Sequence, residues 1–78
     1  MKVYVVTTFD KDSACPSVYK TLERANEVFE RAIKTNLYFG EKIASDERDI
    51  ITDGDIKVLR LVRFRPSKEN LLLTETTI

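Results

Sequence analysis

Leu22, Ala25, Val28, Phe29, Ala32 and Ile33 recur at intervals of 3, 3, 1, 3 and 1 residues. That spacing lines one face of a helix with 3.6 residues per turn, and it is the clearest periodicity in the chain. Thr21, a good N-cap residue, stands just before it. The pattern predicts a helix running to about Thr35, with Asn36 as its left-handed C-terminal stop. Glu27 with Arg31, and Glu30 with Lys34, stand four apart with the acid first, the favoured orientation for pairing along a helix. A lone helix with one apolar face cannot shield that face by itself, so the rest of the chain must supply a second layer.

The flanking segments read as strands. Lys2–Phe9 is a run of Val, Tyr and Thr, side chains that fit a pleated backbone. Val3, Val5, Thr7 and Phe9 fall on one face and Tyr4, Val6 and Thr8 on the other; both are fairly apolar, as in a central strand. Residues 10–17, with Cys15-Pro16, read as a polar turn, and Ser17-Val18-Tyr19 as a brief edge pairing. Beyond Leu37-Tyr38-Phe39-Gly40, residues 41–48 fit a short second helix no better than a loop or single turn, because their periodicity is weak. Residues 49–52 read as a short strand entering a hairpin turn at Asp53-Gly54.

Ile56–Arg65 is the second long strand. Ile56, Val58, Val62 and Phe64 alternate onto one face with Arg60 interrupting the row, while Lys57, Leu59, Leu61, Arg63 and Arg65 lie opposite. Neither face is clean, which points to a bulge near Arg60. A helical alternative sets Lys57, Arg60 and Arg63 three apart; β-branched content and Pro66 oppose it. Residues 66–69 make a turn, and 70–78 close a hairpin as an edge strand. The expected architecture is a single α+β domain spanning residues 1–78: one helix across a mainly antiparallel sheet of roughly three to five strands, in the order β-(β)-α-(β)-β-β.

Charge is sorted along the chain. Between Glu41 and Asp55 six acids face two bases, a balance of −4, and from Lys57 to Lys68 there are five bases and no acid. The whole chain has 13 basic and 13 acidic residues, so the two segments cancel in the total while forming separate fields. An Asp53-Gly54 turn makes the two segments neighbours and pairs part of the charge internally.

Several chemistries are excluded or weakened. With no histidine, the chain lacks the side chain best suited to proton transfer near neutral pH and the commonest metal ligand. Cys15 is the only cysteine, so no disulfide staples the chain and no thiolate cluster forms; it reads as a small buried or turn residue in a reducing, cytoplasmic protein. Asp53-Gly54-Asp55 lacks the spacing of an EF-hand loop and reads as a hairpin turn. Two glycines cannot build a phosphate-binding loop. The opening Val/Thr run is too short for an export signal, and no stretch approaches the roughly 20 apolar residues of a membrane span. No catalytic residue, metal site or cofactor is expected.

Seventy-eight residues support one modest core, and a binding surface is easier to build from them than a deep cleft. The expected function is therefore a small non-catalytic protein-binding module, a regulator or inhibitor, that meets its partner through Arg60, Arg63, Arg65 and Lys68 with Tyr38 and Phe39 as aromatic anchors. The extended opening, the amphipathic helix starting Thr21-Leu22-Glu23-Arg24-Ala25-Asn26 and the closing hairpin resemble, in general form, small regulatory proteins of bacteria and phages. No diagnostic motif accompanies that resemblance, and it assigns no residue roles. The alternative is nucleic-acid binding by the basic strand 57–68, opposed by zero net charge and by the absence of a ribonucleoprotein aromatic motif. A weaker third reading, a carboxylate enzyme, requires a pocket gathering Glu41, Asp46, Asp49 and Asp55. A homodimer through an edge strand such as 70–78 is also expected.

Overall fold

Asp10 closes the first hairpin by local chemistry. Its Oδ1 accepts hydrogen bonds from the backbone N–H groups of Asp12 and Ser13, both at 2.8 Å, and from the Ser13 hydroxyl at 3.0 Å. In the computed structural model, which describes residues 1–54 and 56–78 and the side chains of all of these except 51–53, this short turn joins β1, Lys2–Phe9, to β2, Ala14–Tyr19. The turn is shorter than the polar stretch over 10–17 suggested. Pro16 sits within β2, an edge strand where a missing N–H is tolerated.

Helix α1, Leu22–Tyr38, begins as its sequence predicts: Thr21 is extended, and its Oγ1 accepts from the Arg24 N–H at 3.2 Å. It ends later than expected. Asn36 stays helical and turns its amide to Glu69 at 3.3 Å, while Gly40 takes the left-handed position at φ +93°. The N–H groups of Phe39, Gly40 and Glu41 donate back to the carbonyls of Thr35, Leu37 and Asn36, so the last turn's acceptors are satisfied. Neither expected pair along the helix forms: Glu27 pairs with Arg24, and Glu30 with Arg60 of the sheet.

Of residues 41–48, expected as helix or loop, all but Glu41 are extended. They belong to β3, Lys42–Asp53, which runs antiparallel to β4, Ile56–Arg65, through the turn at Asp53-Gly54; Asp55 lies outside the described residues. Two register shifts, between Ile43 and Ser45 and between Arg48 and Ile51, break the alternation of β3, and Asp49 is left-handed at φ +51°. The expected bulge in β4 is present, with the register shifting between Val58 and Arg60. Its consequence differs from the sequence reading. Arg60, Val62 and Phe64 face the helix, whereas Ile56 and Val58 pair with Thr76 and Thr74 on the opposite face.

The last strand, β5, Asn70–Thr77, is not at an edge. Strand order is β2-β1-β5-β4-β3, every neighbour is antiparallel, and β5 is the middle strand. The α+β reading therefore holds, as one helix packed on a five-stranded antiparallel sheet. Helix α1 runs from the β2 edge back across one face to the start of β3 at the other edge. Ala25, Phe29 and Ile33 meet Val6, Val62, Phe64, Leu71 and Leu73 in the core, with Tyr4, Tyr19, Val28, Ala32 and Leu59 packed around them.

Candidate functional site

The acidic and basic segments lie side by side as strands β3 and β4, and this decides the fate of the basic residues. Arg60 points to the helix side. Its Nε and Nη2 donate to Asp46 Oδ1 and Oδ2 at 3.0 and 2.8 Å, its Nη1 donates to Glu30, and its guanidinium carbon lies 5.1 Å from the Phe29 ring centroid. Only 14% of its side chain is exposed. The bonds to Asp46 push the Arg60 guanidinium further toward permanent charge, and the same bonds hold the Asp46 carboxyl below its ordinary value. Arg60 is thus a structural residue joining sheet to helix, and it leaves the expected partner-binding set.

Arg63 and Arg65 project to the opposite face, where Arg63 pairs across the strands with Ser45 and Asn70, and Arg65 with Lys42. Arg63 is half exposed and sits 3.6 Å from Glu47, a surface pair that salt weakens. Arg65 and Lys68 are exposed and, among the described residues, make no ion pair. Lys68 is held left-handed at φ +66° in the β4–β5 turn. Arg63, Arg65 and Lys68 line an open groove of about 480 Å³ together with Ser45 and Asn70. The Ser45 hydroxyl is shielded from solvent and has no hydrogen-bond partner. Three cations and an amide suit a carboxylate or another oxyanion.

Tyr38 and Phe39 end the helix. Their rings pack edge to face with centroids 5.3 Å apart, yet they are 83% and 76% exposed, so they do not close the core from below. They share an end of the molecule with the basic groove. Glu41 Oε1 accepts from the Ser67 N–H at 3.1 Å, Asn36 reaches Glu69, and β3 starts at Lys42 beside Arg65. Helix terminus, β3 start and β4–β5 turn are thereby tied together.

Two polar members of the groove, Ser45 and Asn70, carry no signal in the sequence. Their side chains matter only because a register shift in β3 and the central place of β5 bring them beside Arg63. Cys15 is exposed rather than buried, and it lies in β2 rather than in a turn. Of the four carboxylates considered for catalysis, Glu41 caps the Ser67 N–H and Asp46 is bound by Arg60, while Asp49 lines a separate groove beside Leu22 and Leu59; Asp55 is outside the described residues. No three His, Cys, Asp or Glu side chains among the described residues converge as metal ligands. Among the described residues no helix is long and apolar enough to cross a membrane. Comparison of the chain with known protein families, curated proteins and solved structures returns no match.

Proposed function

We propose that the chain is a non-catalytic module that binds a protein partner through the end carrying Tyr38, Phe39, Arg65 and Lys68. The observation behind this reading is that two exposed aromatic rings and two cations without an ion pair among the described residues lie at one end of the molecule. Exposed aromatic pairs are unfavourable in water and are enriched where partners dock; unpaired cations at the same end favour an acidic rim. The partner surface that fits is an apolar pocket bordered by Asp or Glu. A regulatory or inhibitory role on a larger macromolecule in the cytoplasm is consistent with the small size, the absence of histidine and the unpaired cysteine.

Nucleic acid is the weaker reading. Tracking phosphates along β4 requires the cations of one strand to face outward together, and Arg60 is bound to Asp46 and Glu30 on the helix side.

The test is affinity capture from the native host with the wild type and two double variants, Tyr38→Ser with Phe39→Ser and Arg65→Glu with Lys68→Glu. Proteins retained by the wild type and lost with both variants are the expected result. Equal retention by all three forms removes this end as the binding site. Binding of single-stranded or duplex nucleic acid that falls steeply with salt, and disappears with Arg63→Ala plus Arg65→Ala, transfers the assignment to nucleic acid.

A further inference from the structure

Helix α1 covers one face of the sheet, and the other face is open although apolar side chains, interspersed with Thr7, Thr74 and Thr76, make up much of its centre. Val5 and Phe9 of β1, Leu72 of β5, Val58 and Leu61 of β4 and Val18 of β2 project there, as the strand registers require. No charged side chain of β1, β2 or β5 lies on that face; among the described side chains, charge begins at one corner, with Glu47, Arg63, Arg65 and Lys42. An antiparallel sheet that shows one face to water normally alternates apolar and polar residues. Here much of β1 and the start of β5, Leu71-Leu72-Leu73, alternate apolar with apolar.

We propose that this open face is the interface of a homodimer in which two copies stack sheet on sheet with their helices outward. Five strands about 4.8 Å apart and about 22 Å long present roughly 500 Å² per copy, so two copies cover roughly 1,000 Å² before side-chain relief adds to it. That exceeds the area of most lattice-type contacts and meets the floor of about 1,000 Å² for a biological interface, at the weak end of the scale, below the roughly 1,200–2,000 Å² of tightly held pairs. Two copies carry the same twist, so their faces pack aligned as in a sandwich. A two-fold axis makes the contact self-complementary and closed. The chain is neutral by count, so a second copy meets no net repulsion.

Association through strand edges is less favourable than the sequence suggested. β5 is paired on both sides, the β2 edge carries Pro16, and the β3 edge is bulged and charged. The face reaches Arg65, which the proposed binding end also uses, so the two surfaces meet at that corner; Val18 and Thr74, where the dimer is tested, lie outside the binding end.

Sedimentation equilibrium from micromolar to millimolar concentration tests it. The expected species is a dimer of twice the 9.0 kDa chain mass. Thr74→Lys places a charge at the centre of the face and should weaken the dimer about 100-fold or more. Val18→Lys should also weaken it; Val18 is 64% exposed in the single chain, so this variant folds whether or not Thr74→Lys does. Glu23→Lys, exposed on the helix, should leave the dimer intact. Isotope-filtered spectra of the wild type should show methyl contacts between Leu72 of one copy and Val5 or Leu72 of the other. A species that stays at 9.0 kDa throughout overturns the proposal, as does a dimer indifferent to Val18→Lys and lacking those methyl contacts.

Discussion

Arg48 and Arg60 stand directly opposite each other on β3 and β4, and Asp46 lies between their guanidinium groups, 2.8 Å from Arg60 and 3.7 Å from Arg48. Like charges facing each other across a ladder destabilise a sheet unless an acid is placed between them. Asp46 does this while gripping Arg60 at two points, and Arg60 in turn reaches Glu30 on the helix. Removing Arg60 therefore frees three groups at once. Arg60→Ala should cost about 1–3 kcal/mol in urea unfolding, from lost charge-assisted bonds and lost cover over Phe29. Arg60→Lys should recover only part of it, since an ammonium cannot reproduce the two-point grip.

The same contact sets part of the acid sensitivity. The Arg60 hydrogen bonds lower the folded-state value of Asp46, and three hydrogen-bond donors in the first turn, led by the Asp12 N–H, lower that of Asp10. A carboxyl depressed in the folded state contributes stability above its unfolded value of about 4 and loses it as pH falls through the folded value. Urea midpoints should therefore drop below about pH 4. Asp46→Asn should lower the midpoint at pH 7 and flatten the drop; an unchanged acid limb in that variant would show that Asp46 gains nothing from Arg60 on folding.

Two aromatic residues ten positions apart should behave oppositely. Phe29 is fully buried beneath Arg60, and Phe29→Ala should cost about 3–5 kcal/mol, most of the stability of a domain this small. Phe39→Ala, at an exposed helix end, should change stability by no more than about 0.5 kcal/mol. Thermal and urea unfolding of both variants checks this, and a large loss with Phe39→Ala would assign that ring to the fold instead of to a partner.

Gly40 stops the helix at φ +93°, and a Cβ built there would meet nothing within 4 Å. The cost of a side chain is then purely that of the backbone conformation. Gly40→Ala should destabilise by about 1 kcal/mol, and Gly40→Asn by less, because Asn tolerates left-handed angles better. Equal losses for Ala and Asn in urea unfolding would mean that crowding, not dihedral preference, governs the position.

The elements that were legible in the sequence are those whose signal is local. The 3.6-residue spacing from Leu22 to Ile33 marks the helix, Thr21 its start, and the failure of alternation around Arg60 the bulge in β4. Where the chain departs from regular alternation more than once, the signal weakens: of the strand over 42–53 only the stretch 49–52 reads as a strand, because two register shifts and the left-handed Asp49 break the pattern before it. Asn36 and Gly40 both suit a left-handed stop, and the structure uses Gly40, with Asn36 inside the helix and its amide on Glu69. Of the residues expected at a partner surface, Arg63, Arg65, Lys68, Tyr38 and Phe39 are at the surface, while Arg60 alternates onto the helix side with Val62 and Phe64 and is bound there by Asp46 and Glu30.

By itself the sequence determined that this is an α+β chain with one amphipathic helix, a first strand apolar on both faces, and acidic and basic segments joined by a hairpin turn. Those properties follow from side-chain size, branching and spacing, which act over a few residues. Tertiary structure alone decided that β5 enters between β1 and β4, that Arg60 bonds to Asp46 and Glu30, and that an apolar sheet face is left opposite the helix. Strand order and facing depend on contacts between residues far apart in the chain, and a shift of one residue at a bulge moves every side chain beyond it to the other side of the sheet.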